Sequence, residues 1–197
     1  MLKKNELKVI KLLLNDFTRQ WTIREIAKAL RQNYFQTYMT ITGLEKTKEV
    51  VTTTLGKSRI VQLDLEKYHA HYIIAEIERA EERNFGKLSL VIKQLVNIQE
   101  YYICLLFGSQ VVQQKNDSDI DLLFVISDTA NISVFEKEIT RILSPYNCDI
   151  NIVTEKSLFE MWSSPKKLNV GNEILKKHII LYGAEHFMVL LRKHYVR

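Results

Sequence analysis

Cysteine and proline are nearly missing from this chain. Its 197 residues include two cysteines, two prolines and six glycines. Two cysteines, Cys104 and Cys148, are too few for a disulfide-stapled secreted scaffold, and none of the five histidines stands at zinc-ligand spacing from either. Both cysteines fall in apolar segments of strand length, where a buried reduced thiol is expected. So little proline and glycine leaves no room for a long disordered linker, and there is no internal repeat or low-complexity tract. No apolar run reaches the ~18–20 residues of a membrane span. Met1-Leu2-Lys3-Lys4 leads into an amphipathic helix rather than a signal-peptide core, so a cytoplasmic protein with no membrane partner is expected.

What is present is an ordinary hydrophobic fraction, 46%, enough to fill a core in each of one or two domains. The net charge of +5 is unevenly spread. Residues 1–65 carry 12 Lys and Arg against 6 Asp and Glu, whereas residues 66–197 carry 16 against 17. The basic excess therefore sits in the N-terminal third, where it points to a nucleic-acid surface.

That third has a readable order. Leu7, Ile10, Leu13 and Leu14 recur at helical spacing over Lys4–Leu14. Thr22 with Glu25 is a capping-box pattern that opens a helix over Ile23–Leu30. Tyr34–Glu45 reads as a third helix. Lys48–Thr54 and Arg59–Leu65 read as a hairpin around Leu55-Gly56-Lys57-Ser58. Three helices and a hairpin over Leu7–Leu65 resemble a winged helix-turn-helix. That resemblance implies a third helix in the major groove of double-stranded DNA, with Gln36, Thr37 and Thr40 facing outward to bases or phosphates. Lys46, Lys48, Lys57 and Arg59 become candidates for backbone contacts. Such domains also serve as docking or dimerisation modules, and both readings stand at this point.

Lys67–Asn84 reads as a connector helix with Tyr72, Ile73, Ala75, Ile77 and Ala80 as its apolar positions, Glu76 among its polar ones, and Gly86 as its stop. It either links two domains or pairs with its copy in a homodimer. Helices are expected over Lys87–Gln99, Ser133–Leu143, Lys156–Trp162, Asn172–Leu181 and Glu185–His194. The histidines His69, His71, His178, His186 and His194 are expected at the surface or partly buried, and Trp21 and Trp162 as packing residues.

The stretch Tyr101–Ile126 carries the chemistry. Ile103–Phe107 is a continuous apolar run of strand length. Gly108 permits a sharp turn and a close approach to a ligand, and Ser109 stands where a helix begins, a position that favours an anion such as a phosphate. Asp119-Ile120-Asp121 leads into a second apolar strand. Alternation along a strand puts Asp119 and Asp121 on one face. Paired carboxylates repel unless a cation lies between them, and hard oxygen ligands suit Mg²⁺ or Mn²⁺.

Leu106-Phe107-Gly108-Ser109 and Asp117-Ser118-Asp119-Ile120-Asp121-Leu122-Leu123 resemble the DNA polymerase beta-like nucleotidyltransferase superfamily, and its minimal nucleotidyltransferase branch most closely. The similarity spans roughly Leu88–Phe187. It implies a mixed β-sheet flanked by helices, so the whole chain is expected to be α+β, with domains at 1–65 and 87–197 and a connector over 66–86. It also implies a third carboxylate on a later strand, which Asp149 in Cys148-Asp149-Ile150-Asn151-Ile152-Val153 supplies. By the same resemblance, Asp119, Asp121 and Asp149 would ligate the metal, Asp149 would help to deprotonate an attacking hydroxyl, and Gly108 and Ser109 would hold the phosphates of a nucleoside triphosphate. ATP would donate AMP. Relatives of this type adenylylate a partner toxin protein, so the chain would be an antitoxin that represses its own operon. Where many minimal members carry a small residue, Arg and Gly after Gly-Ser, this chain has Gln110-Val111-Val112-Gln113-Gln114. That departure leaves open a regulator that binds nucleotide without turnover.

Overall fold

The computed structural model describes residues 3–67, 70–83, 88–98, 101–112 and 119–196. His69, Gly86, Asp117 and Ser118, all used in the reading above, lie outside them.

α1 (Lys4–Leu14) buries Ile10, Leu13 and Leu14 as its periodicity implies, with Val9 fully buried and Leu7 only partly so. A two-residue strand β1 (Trp21–Thr22) then runs into α2 (Ile23–Ala29). The capping box forms: the Glu25 N–H donates to Thr22 Oγ1 at 3.2 Å, and the Thr22 N–H donates to Glu25 Oε2 at 2.8 Å. α3 (Tyr34–Lys46) opens on Asn33, whose side chain accepts from the Gln36 N–H at 2.7 Å. β2 (Val50–Leu55) and β3 (Ser58–Leu63) form an antiparallel hairpin that turns at Gly56, φ +59°. β1, too short for any pattern to announce, pairs with the far side of β3, so this sheet runs β1-β3-β2.

α4 (Ala70–Glu81) and α5 (Leu88–Leu95) lead to the second sheet. Its strands are β4 (Tyr102–Leu106), β5 (Ile120–Ile126), β6 (Cys148–Thr154) and β7 (Ile179–Tyr182). They lie in the order β6-β5-β4-β7, with β4 antiparallel to both neighbours and β5 parallel to β6. α6 (Ser109–Val112) follows β4, α7 (Ile132–Leu143) joins β5 to β6, and α8 (Glu155–Trp162), α9 (Val170–Lys176) and α10 (Ala184–Tyr195) complete the chain. Among the described residues the fold is α+β with two sheets.

β4 is buried along its whole length because both faces of the sheet are covered, which is why it reads as an unbroken apolar run. Tyr102, Cys104, Leu122 and Phe124 pack with Val91 of α5 and with Phe135 and Ile139 of α7. Ile103, Leu105, Leu123 and Val125 pack with Trp162, Ile174 and Phe187. This second cluster continues through Tyr72 and Ala75 of α4 to Ile10, Leu14, Ile41 and Val61. The N-terminal helices and the second sheet therefore share apolar contacts.

Three expectations fail in the C-terminal half and the connector. The helix expected over Asn172–Leu181 stops at Lys176, and Ile179–Tyr182 is strand β7. Ile179-Ile180 is β-branched and meets the free edge of β4, so tertiary pairing overrides helical spacing. In α4, Glu76 is fully buried and Ile77 is 46% exposed, the reverse of the expected faces. The buried stripe is Tyr72, Ala75, Glu76 and Arg79, and it tolerates charge because Arg79 Nη1 donates to both Glu76 oxygens at 2.7 Å. His178 is fully buried, not superficial. Its Nδ1 lies 2.6 Å from the Ile174 carbonyl and its ring stacks on Phe17 at 5.7 Å.

Candidate active site

β4 ends at the turn expected to carry the chemistry. The Phe107 N–H donates to the Asp121 carbonyl at 3.1 Å, which sets the end of β4 beside the start of β5. Gly108 then takes φ +69°, a conformation natural to glycine. A Cβ on Gly108 would lie 2.0 Å from Asp121 Oδ2, so no side chain fits there while Asp121 keeps its place. The Ser109 backbone N–H donates to the Asp121 carboxylate. Gly108, Ser109 and Asp121 are thus in direct contact.

Asp149 stands opposite Asp121 in the parallel β5–β6 pair. Neighbouring strands are ~4.8 Å apart, and residues in register project from the same face. Burial pushes the Asp121 carboxyl above its usual value, and the charges of Asp149, Glu173 and Asp119 push it the same way against the Ser109 N–H. Glu173 in α9 was not anticipated. It comes close only because α9 packs under this sheet face, which no local pattern reports.

Asp119 is exposed, just before β5, and its Oδ1 accepts from Asn147 Nδ2. The Ile120 N–H also donates to the Asn147 carbonyl at 3.0 Å, so the turn before β6 holds this end of β5. Among the described residues, no three or more of His, Cys, Asp and Glu are drawn into a group that could hold a metal ion. What has converged is a carboxylate pair, Asp121 with Asp149, against the Gly108–Ser109 turn, with Asp119 beside it. The donor chemistry of that pair, hard anionic oxygen under mutual repulsion, suits a divalent cation.

Arg83, just past α4, is a second residue the sequence did not single out. Its Nη1 and Nη2 donate to the carbonyls of Gln110 and Val111, at 3.1 and 2.5 Å. It therefore holds the short helix that begins at Ser109 from the other end.

The outer face of α3 differs from expectation. Gln36 is exposed, and Thr40 is half-buried with its hydroxyl donating to the Gln36 carbonyl. Thr37 does not face outward: it is fully buried and its hydroxyl donates to the Asn33 carbonyl at 3.0 Å. Its position on the helix turns it towards the core, and the Asn33 carbonyl one turn back satisfies the hydroxyl. Lys46, Lys48 and Lys57 are exposed as expected. Arg59 is not a free cation, because Nη2 pairs with Glu45 Oε2 at 2.6 Å and Nε donates to Thr52 Oγ1 at 2.9 Å. Exposed instead are Tyr34 (54%), Phe35 (72%), Tyr38 (36%) and Met39 (53%).

The chain matches no protein-family model and no curated protein. Among solved structures it is similar to AF1382 from Archaeoglobus fulgidus, at 17% identity and a TM-score of 0.34, over 43% of this chain and 94% of that one. Among the described residues, no helix is long and apolar enough to cross a membrane.

Proposed function

We propose that this protein is a metal-dependent nucleotidyltransferase joined to an N-terminal winged helix-turn-helix that binds double-stranded DNA. The proposed division is 1–65 for DNA, 66–86 as connector and 87–197 for transfer. One observation carries the reading: Asp121 and Asp149 oppose each other on parallel strands, beside a glycine turn pressed against the Asp121 carboxylate. A crowded carboxylate pair at a bare backbone turn suits a ligand that brings both a cation and a polyphosphate.

In this reading Asp121 and Asp149, with Asp119, would hold Mg²⁺ or Mn²⁺. The metal would neutralise the triphosphate and make an attacking hydroxyl more acidic. The exposed Ser109 hydroxyl, at the turn that Gly108 makes, donates to a phosphate oxygen. The acceptor oxygen forms a bond to the α-phosphorus, the bond to the β-phosphate oxygen breaks, and pyrophosphate leaves. The acceptor proton passes to Asp149, which is exposed and so able to release it to water. ATP is the proposed donor, and a hydroxyl side chain of a partner toxin is the acceptor the family resemblance suggests.

A second reading is a transcriptional regulator that binds nucleotide without turnover. It is favoured by two occupied groups, the Ser109 N–H on Asp121 and Asp119 on Asn147.

Labelling with ATP radioactive at the α-phosphate, in cell lysate with Mg²⁺, separates the two. Transfer predicts a labelled acceptor that disappears with Asp121→Asn combined with Asp149→Asn. The regulator predicts a rise in melting temperature with Mg²⁺ and ATP but no label. Absence of both effects overturns both readings.

A further inference from the structure

We infer that the exposed face of α3 reads thymine methyl groups in an A·T-rich major groove, an inference that rests on the DNA-binding reading above. Tyr34, Phe35, Tyr38 and Met39 occupy consecutive turns of one helix and all reach solvent. A helix that only closed a core would not expose four large apolar side chains in one patch.

The patch is ordered before any partner arrives. The Tyr34 and Tyr38 rings stack at 6.4 Å, and the Arg59 guanidinium lies 5.9 Å from the centre of the Tyr38 ring. Arg59 is in turn fixed by Glu45 and Thr52. So the arginine expected to bind phosphate instead braces an aromatic surface.

Charge around the patch selects the occupant. Arg31 lies just before α3, Lys46 ends it, Lys48 follows it, and Lys57 is at the hairpin tip. All four are exposed and, among the described residues, none makes an ion pair. Glu45, the one carboxylate on α3, is neutralised by Arg59. An apolar strip inside an uncompensated cationic border complements a polyanion with an apolar feature in its groove. Duplex DNA has one such feature, the C5-methyl of thymine, and its major groove admits a helix. Cytosine and guanine edges would lose hydration against Phe35 and Met39 without gaining a hydrogen bond. Gln36, exposed at the first turn, supplies the amide that suits the adenine edge.

The test starts from duplexes selected by the full chain from a random double-stranded library. Their thymines are then replaced singly by deoxyuridine, which removes only the methyl. The expected result is A·T-rich selected sequence and about fourfold weaker binding per contacted methyl. Phe35→Ala and Met39→Ala, both at exposed positions, should erase the difference between thymine and deoxyuridine. Lys48→Ala with Lys57→Ala should weaken every duplex alike and flatten the salt dependence. Duplex binding without thymine enrichment, or insensitive to deoxyuridine, overturns the inference and leaves the DNA-binding reading standing. If no duplex binds even at low salt, the DNA-binding reading falls too; Phe35→Ser then abolishing self-association in sedimentation would assign the face to protein contact.

Discussion

The Asp121 carboxylate occupies the space that a side chain on Gly108 would fill, with 2.0 Å between Oδ2 and a Cβ placed there. The two positions are 13 residues apart in the chain, yet each constrains what the other can be. Gly108→Ala should therefore both strain the left-handed turn, costing about 1–2 kcal/mol, and expel the carboxylate. The expected fall in melting temperature is at least roughly 3–6 °C by calorimetry. Adding Asp121→Ala should recover part of that loss, a non-additivity that independent sites would not show.

Asp121 is expected to be a stability liability that the site retains. Its folded carboxyl titrates above the usual 3.8, through burial and then the charges of Asp149, Glu173 and Asp119. An acid raised on folding destabilises when ionised, so the penalty is full above the folded value and vanishes as the pH falls through 3.8. Asp121→Asn should therefore raise the melting temperature at pH 7, and the gain should disappear in acid. Half-exposed charges make the gain small, under about 1 kcal/mol. In the proposed enzyme the same substitution should cut transfer more than about a hundredfold. Mg²⁺ should stabilise the unsubstituted chain more than the variant.

Arg79 tests the buried charge cluster. It bonds Glu76 through Nη1, while Nη2 donates to Asn15 Oδ1 at 3.0 Å and to the His178 carbonyl at 2.9 Å. It thus ties α1, α4 and the start of β7 at one point. Arg79→Leu would leave Glu76 buried with only His178 Nε2, 3.6 Å away, at a cost of about 3–5 kcal/mol, measured by urea denaturation at pH 7. Burial works to raise the Glu76 carboxyl, but the Arg79 charge and His178 together hold it below the usual 4.5. A depressed acid stabilises above its unfolded value, so this contribution is full above pH 4.5 and is lost as the pH falls through the lower folded value.

Arg83 should matter locally more than globally. Arg83→Ala strands two carbonyls at the end of a four-residue helix, at a cost of about 1–3 kcal/mol. Amide exchange over residues 109–112 should accelerate more than in β4. Under the proposed function, nucleotide-dependent stabilisation should shrink in parallel, since the Gly108–Ser109 turn loses its brace.

How much of this was legible varies with distance along the chain. The capping box at Thr22 and Glu25, the hairpin around Gly56, the buried runs of β4 and β5, and the Gly108–Ser109 turn all appear as read. Each is governed by groups within a few residues of one another. Asp149 lies opposite Asp121 across β5 and β6, whereas Asp119 stands just before β5 with its carboxylate on Asn147. Misjudged were β7, the inward turn of Thr37 and Glu76, the pairing of Arg59, and the burial of His178. Missed altogether were β1, the approach of Glu173 to Asp121, and the hold of Arg83 on Gln110 and Val111.

The sequence by itself determined the α+β class, the order of most elements and the residue types available for chemistry, because periodicity, capping and turn geometry act locally. Tertiary structure alone decided which charges became neutral pairs in the interior and which side chains were left facing outward. Glu76 is tolerable inside only because Arg79 and His178 reach it, and Ile179–Tyr182 extends only because β4 offers an open edge. Both outcomes depend on free energies set by partners distant in sequence, and a helical or polar pattern carries no record of who those partners will be.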